Sequence, residues 1–299
     1  MKWEISQIIV KESKIMTQQE VLERVRFYAE LRGLSETTCN GYCSTVRRFQ
    51  KHYGKPATEL NLADIQDFLH YLLEERKNTG GSVNRNNSGL RFLYTVALDS
   101  PLNLNKIPFL RNLRKFPDIM TREEVSALFN ACTNLRDKAM LMTAYGAGLR
   151  VSEVAGLKVS DIDSRNMQIY IRNGKGGKDR YALLSQTNLD ILREHWLAYR
   201  PKEWLFHSRN HRPISIRATQ DVFTKTKELA GITKNVTAHT LRHSFATHLL
   251  EDGVSIYHIK QLLGHTHIST TCFYLHLMKI RDLDVISPLD NLYPGDKDA

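Results

Sequence analysis

Apolar residues recur at a helical spacing through most of this chain, and the period switches to two only once. The first helical segment opens at Thr17, where "TQQE" forms a capping box ahead of "VLERVRFYAELRG", and Gly33 closes it. Further segments follow Ser35 ("SETTCNGYCSTVRRFQKHYG") and Asn61 ("LADIQDFLHYLLEERKN"), and a fourth runs from about Ser82 to Leu98. The pattern predicts a small bundle of four amphipathic helices.

The stretch "DSPLNLNKIPFLRNLRKFPD", residues 99–118, holds three prolines and four basic residues without a helical period. It reads as an interdomain linker over 101–118. A second capping box, "TREE" at Thr121 to Glu124, opens another domain with helices at about 121–132 and 135–147. In "GAGLRVSEVAGL", Gly146 and Gly148 loosen the backbone before Arg150. After "DID" the period becomes two: Met167, Ile169 and Ile171 alternate with polar neighbours, "GKGGKD" turns, and "RYALLS" returns. This predicts a β-hairpin with Lys175 at its tip. The remainder reads as helix apart from a short strand at "EWLFHS". The expected fold is mainly α with a small β-hairpin or sheet: an N-terminal extension over 1–16, a helical domain over 17–100 and a second domain over 119–299.

One helix, "TAHTLRHSFATHLLEDG", poses a question. At 100° per residue, Leu241, Phe245, His248 and Leu249 fall on one side, while His239 and Arg242 lie on a neighbouring side about 60° apart. The spacing predicts one side for packing and another for a shared target.

Composition narrows the class. A chain of 299 residues with 41% apolar and 25% charged positions suits two globular domains, and no window approaches the ~18 apolar residues of a spanning helix. The N-terminus has too short an apolar run for a signal peptide, so a cytoplasmic protein is expected. Four scattered cysteines suit a reducing compartment; Cys39 and Cys43 share a helical face and read as buried thiols. The net charge of +10 suggests a polyanionic partner, most often nucleic acid. Lys51, Arg85 and Arg91 in the first bundle could face phosphates or simply solvent.

Four scattered pieces have a common chemical explanation: Arg150 after the glycine-rich bend, Lys175 in the hairpin turn, "HTLRH" at 239–243, and "LLGHTHISTTCFYLHL" at 262–277. Each also has an ordinary reading. Arg150 could pair with Glu153 at i+3, Lys175 could be a solvated turn lysine, His265 could cap a helix ending near Gly264, and Tyr274 could be a half-buried aromatic. As a set they fit nucleophilic attack on a phosphodiester. Arg150 and Arg242 would clamp the non-bridging oxygens as charge builds there. Tyr274 would attack, preserving the phosphodiester's energy in a covalent link, so neither metal nor nucleotide cofactor is expected. A phenol titrates near pH ~10 and needs a proton acceptor, for which His239 is the candidate; Lys175 is the candidate donor to the departing oxygen.

These residues resemble the signature of the tyrosine recombinases of the phage integrase family, close in plan to its compact Xer-type members. The pattern of Arg, hairpin Lys, His-x-x-Arg, His or Trp, then Tyr reads here as Arg150 in "GLRVSE", Lys175 in "NGKGGKD", His239 and Arg242 in "HTLRH", His265 in "LLGH", and Tyr274 nine residues later. The likeness covers roughly residues 17–285. It implies an N-terminal helical SAM-like core-binding domain and a C-terminal catalytic domain that form a C-shaped clamp on duplex DNA. It also implies a monomer or dimer when free and a homo-tetramer on two paired core sites. Cleavage would leave a 3′-phosphotyrosyl link and a free 5′-hydroxyl, with exchange through a Holliday junction, and His265 would help bind the scissile phosphate. A segment at about 280–293, with Leu283, Val285, Ile286 and Leu289, would dock on a neighbouring protomer or on its own domain.

Only about 16 residues precede the first helix, too few for the separate arm-site domain of larger phage integrases. The 89 residues from Arg150 to His239 leave no obvious space for the additional helix of integron integrases. A simple recombinase serving a mobile element such as a transposon, or resolving replicon dimers, is the expectation, with accessory proteins left open. Three alternatives compete: type IB-like topoisomerase activity without partner exchange, a DNA-binding regulator that has lost cleavage, and a metal hydrolase built on His239, His243 and His248. Against the last, no glutamate separates the first two histidines and Arg242 would repel a cation.

Overall fold

The computed structural model describes residues 16–100, 102–111, 117–172 and 179–277 of the chain. The chain divides into two compact units, residues 1–114 and 115–299. The turn of the hairpin with Lys175, and the segment at about 280–293, lie outside the described residues.

The first unit is built on helices α1 (Gln18–Leu31), α2 (Glu36–Tyr53), α3 (Leu62–Glu74) and α4 (Gly80–Phe92). Reciprocal capping boxes start two of them, Thr17 with Glu20 and Asn61 with Asp64, satisfying N–H groups that the first turn leaves without partners. The fourth helix starts earlier than its apolar period predicts. Thr79 accepts from the Ser82 N–H, which draws Gly80 and Gly81 into the first turn, and a π-helical stretch from Leu93 to Ala97 then ends the element. Val21, Val25, Val46, Phe49, Ile65, Phe68, Leu90 and Tyr94 form the core, joined by the buried Cys39 and Cys43. Residues 102–111, within the stretch read as linker, lie on this unit. Leu104 and Ile107 are buried in its core, and the Arg91 guanidinium donates to both of their carbonyls at 2.6 Å. Arg91 therefore ties residues 104–107 to the bundle.

The second unit opens with α5 (Arg122–Asn130), capped by the Thr121 and Glu124 box, followed by α6 (Leu135–Gly146) and the short α7 (Val151–Ala155). An antiparallel sheet of order β1-β2-β3 follows, from β1 (Ile162–Asp163), β2 (Gln168–Ile171) and β3 (Arg180–Leu183). Ile169 and Ile171 face the core as the alternation predicts, but Met167 does not continue the strand. Its φ of 54° belongs to the turn in which the Asp163 side chain accepts from the Arg165 and Asn166 N–H groups. The strand expected at "EWLFHS" is reduced to isolated bridges, Lys158 with Trp204 and His207 with Pro213, because successive residues pair with different partners.

Helices α8 (Gln186–Tyr199), α9 (Ile216–Leu229), α10 (Ala238–Glu251), α11 (Ile256–Leu263) and α12 (Ile268–Cys272) complete the unit, and a 3-10 turn from Phe273 to Leu277 carries Tyr274. Helix α10 corrects the two-sided expectation. Thr240, Leu241, Arg242, Ser244, Phe245, Ala246, Thr247 and His248 are all buried, so Arg242 is enclosed together with the apolar side while His239 alone of the expected pair stays exposed. Among the described residues no helix is long and apolar enough to cross a membrane.

Candidate active site

The site assembles where α7, α10, the C-terminus of α11 and the Tyr274 turn meet, and two glycines make that approach possible. Gly148 has φ of 58°, and a Cβ there would lie 2.4 Å from Cδ1 of Phe245 on α10. Only glycine lets the backbone before Arg150 lie against that ring. Gly264 ends α11 with φ of 63°, which aims the following residue, His265, back toward the site.

Arg242 is 2% exposed and would be costly to bury without partners. Its Nη1 donates to the Gly148 carbonyl at 2.8 Å and its Nη2 to the Leu263 carbonyl at 2.6 Å. The same guanidinium lies 3.7 Å from a Glu153 carboxylate oxygen. Burial, and then the nearby Arg150 charge, lower its pKa to about 10, opposed by Glu153, so it stays cationic at neutral pH.

Glu153 is the anion around which the cations gather. It accepts from the backbone N–H of Arg150 at 2.8 Å and from Arg150 Nη1 at 2.7 Å. It also accepts both terminal nitrogens of Arg180 at 2.8 Å. Burial alone would raise its carboxyl, but the hydrogen bonds and charges of Arg180 and Arg150 prevail and hold it at about 2. The i+3 pairing of Arg150 with Glu153 was legible as an ordinary salt bridge; that the same carboxylate also holds Arg180 was not. The two lie 27 residues apart in the chain, and no local pattern marks the pairing.

Tyr274 is 3% exposed. Its hydroxyl lies 3.1 Å from Nδ1 of His243, and its ring is nearly parallel to that of His265, 13° apart at 6.3 Å between centroids. Burial raises the phenol's pKa, and the charges of Arg242 and Arg150 pull it back without reversing the shift. The resting Tyr274 side chain is therefore a neutral phenol, and the cations alone do not ionise it. His239 stands edge-on to His243 at 4.7 Å between ring centroids. Burial, followed by the Arg242 and Arg150 charges, lowers the His239 pKa, with Glu153 opposing. His243 falls to about 4 through burial, then His239 and Arg242. His265, whose Nδ1 is 2.9 Å from the buried Thr271 hydroxyl, also falls to about 4 through burial and then the charges of Arg242, Arg150 and Arg180. Neutral imidazoles beside a phenol are competent proton acceptors.

Of the six residues singled out from the sequence, Arg150, His239, Arg242, His265 and Tyr274 come together, and Lys175 lies outside the described residues. His243, Glu153 and Arg180 join them. His248, which a metal hydrolase would need, instead pairs its Nδ1 with the Tyr145 hydroxyl at 2.8 Å. Among the described residues no group of three His, Cys, Asp or Glu side chains could hold a metal ion. A tyrosine hydroxyl, two guanidiniums and neutral imidazoles brought together at one site, Tyr274 and Arg242 buried and His239 exposed, can bind a phosphodiester anion, attack it and take up the phenol's proton.

The chain is similar to known recombinases along most of its length. The chain matches the model of the phage integrase family over residues 118–281 and that of the phage integrase N-terminal SAM-like domain over residues 21–104. A putative integrase/recombinase of Sinorhizobium fredii is 37% identical over 265 residues, covering 88% of this chain and 86% of that protein. The tyrosine recombinase XerA of Pyrococcus horikoshii is 35% identical over 274 residues, covering 89% and 92%. Among solved structures, the XerH site-specific recombinase bound to a palindromic DNA substrate superposes with a TM-score of 0.75 at 16% identity, covering 94% of this chain and 97% of that one.

Proposed function

The chain belongs to the phage integrase family, whose Xer-like tyrosine recombinases cut and rejoin DNA site-specifically, and from that membership we propose that Tyr274 is its nucleophile and Arg150 and Arg242 its phosphate clamp. The observation that carries this assignment is a buried tyrosine hydroxyl held by an imidazole within the field of two arginines.

In the reaction, the Tyr274 oxygen bonds to phosphorus as the bond to the 5′-oxygen breaks. The phenol's proton passes to His243 or His239, and Lys175 supplies one to the departing 5′-oxygen. The products are a 3′-phosphotyrosyl link and a free 5′-hydroxyl, and attack by a partner strand's hydroxyl reverses each step. Arg150 and Arg242 offset the charge that gathers on the non-bridging oxygens, and His265 adds a hydrogen bond to the same phosphate.

The substrate is duplex DNA carrying paired core sites, on which four copies assemble, in the service of a mobile element or of replicon resolution. Charge segregation in the first unit supports a DNA-facing side: α2 beyond Glu36 and the whole of α4 contain no carboxylate, whereas α1 carries Glu20, Glu23 and Glu30 and α3 carries Asp64, Asp67 and Glu74. Arg47, Arg48 and Lys51 on α2 and Arg85 on α4 are the cations available there.

Incubating the full chain with DNA from its own replicon and sequencing the detergent-resistant adducts tests the proposal and maps the cut site. The parent protein is expected to form adducts at a defined sequence, and Tyr274→Phe to bind that sequence without forming any. Adducts formed by the variant would reject the nucleophile. Relaxation of supercoiled plasmid without recombinants, even when paired sites are present, would reject partner exchange.

A further inference from the structure

We propose that Arg180 is a positioning residue that sets the placement of Arg150, Arg242 and the His265 loop relative to one another; this rests on the assignment of those two arginines to the scissile phosphate.

Arg180 begins β3, paired with Ile171 of β2 at the root of the hairpin. Its side chain is 10% exposed, and all three guanidinium nitrogens are engaged within the protein. Nη1 and Nη2 form a fork on the two Glu153 oxygens, both at 2.8 Å, and Nε donates to the Leu262 carbonyl at 3.1 Å. Arg242 takes the next carbonyl, Leu263. Two arginines thus occupy adjacent carbonyls at the C-terminus of α11, where the helix favours positive charge, and His265 lies immediately beyond the helix's closing glycine.

The fork fixes the plane of the Glu153 carboxylate. With Arg180 in place, Arg150 meets that carboxylate through one terminal nitrogen, leaving the other for a phosphate oxygen, and Arg242 stays 3.7 Å away. Without Arg180, the carboxylate is free to turn onto Arg150 or Arg242 and draw it off the phosphate. Gly264 belongs to the same device: a Cβ there would lie 2.6 Å from Cδ of Arg180, so a side chain at 264 displaces the arginine while leaving every charge present.

The test uses Arg180→Met, Arg180→Lys and Gly264→Ala in the full chain. It measures single-turnover covalent-complex formation on the mapped cut site, the half-saturating DNA concentration and the melting temperature. Arg180→Met is expected to slow cleavage at saturating DNA by about 10²-fold, the scale for a ~1 Å misplacement of reacting groups, with the half-saturating DNA concentration unchanged. Arg180→Lys should recover little of this, since one ammonium cannot reproduce the fork and reach Leu262 as well. Gly264→Ala should slow the same step with charge unaltered. Arg180→Met should melt lower because it breaks the buried pairing with Glu153; cleavage at the parent rate in the folded variants overturns the proposal, as does a loss matched by weaker DNA binding. Failure of the parent itself to form an adduct would instead overturn the phosphate assignment on which it rests.

Discussion

The Tyr274 hydroxyl lies 3.1 Å from Nδ1 of His243, one helical turn along α10 from His239, the acceptor that the sequence spacing favours. With Tyr274 as the nucleophile, the pairing would make His243 the first stop for the phenol's proton. His243→Ala is expected to slow covalent-complex formation by about 10²-fold or more, the usual worth of a general base, and to do so more than His239→Ala. Single-turnover rates at saturating DNA decide it; the opposite order returns the role to His239.

Glu153→Gln removes the one carboxylate shared by Arg150, Arg180 and Arg242. Breaking such a buried pairing costs about 3–5 kcal/mol, so the variant's denaturation midpoint should fall well below the parent's. The pH dependence carries a sign. A carboxyl held at about 2 in the folded chain contributes stability above its unfolded pKa of 4.5 and loses that contribution as pH falls through about 2. Over that acid range the parent's stability should fall more steeply than the variant's; parallel curves would show that Glu153 carries no such linkage.

Gly148→Ala places a methyl 2.4 Å from the Phe245 ring at a φ of 58°. Overpacking alone costs about 1–3 kcal/mol, and the Gly148 carbonyl that anchors Arg242 must shift with it. Melting temperature and cleavage rate are expected to drop together while affinity for target DNA holds. An unchanged cleavage rate would show that Arg242 does not depend on that carbonyl.

His195, on α8, is fully enclosed, stacked on Tyr199 with Phe206 at its edge, and its Nδ1 has no hydrogen-bond partner. Burial, then the charges of His207 and Arg136, lower its pKa to about 4. Between about 4 and the ordinary imidazole value of 6.5 the unfolded chain binds more protons than the folded one, so stability falls as pH drops through that window. His195→Leu should flatten this decline in urea titrations across the window. A slope identical to the parent's would place the acid sensitivity in other groups.

Local signals carried much of the fold. Side-chain caps at Thr17, Asn61 and Thr121 start their helices as "TQQE", Asn61 and "TREE" predict. The strand period failed at Met167 because an Asp163-capped turn outweighs alternation, and at "EWLFHS" because its pairing partners are scattered. At the site, the spacing singled out Arg150, His239, Arg242, His265 and Tyr274, which the fold brings together, but not Glu153 and Arg180, which hold them. Arg180 meets Glu153 and Leu262 across long sequence separations, and such contacts leave no periodic trace. Helix α10 shows the same limit: a helical wheel separates Arg242 from the apolar stripe, yet α11 and the turn at Gly148 close over both.

The enclosure of Tyr274 matters after cleavage as well as before it. A phosphotyrosyl bond formed on so enclosed a side chain would be less open to water, whose attack would leave a nick that no strand exchange could reseal. A side chain only 3% exposed would then hold the linkage until a sugar hydroxyl arrives to close the break.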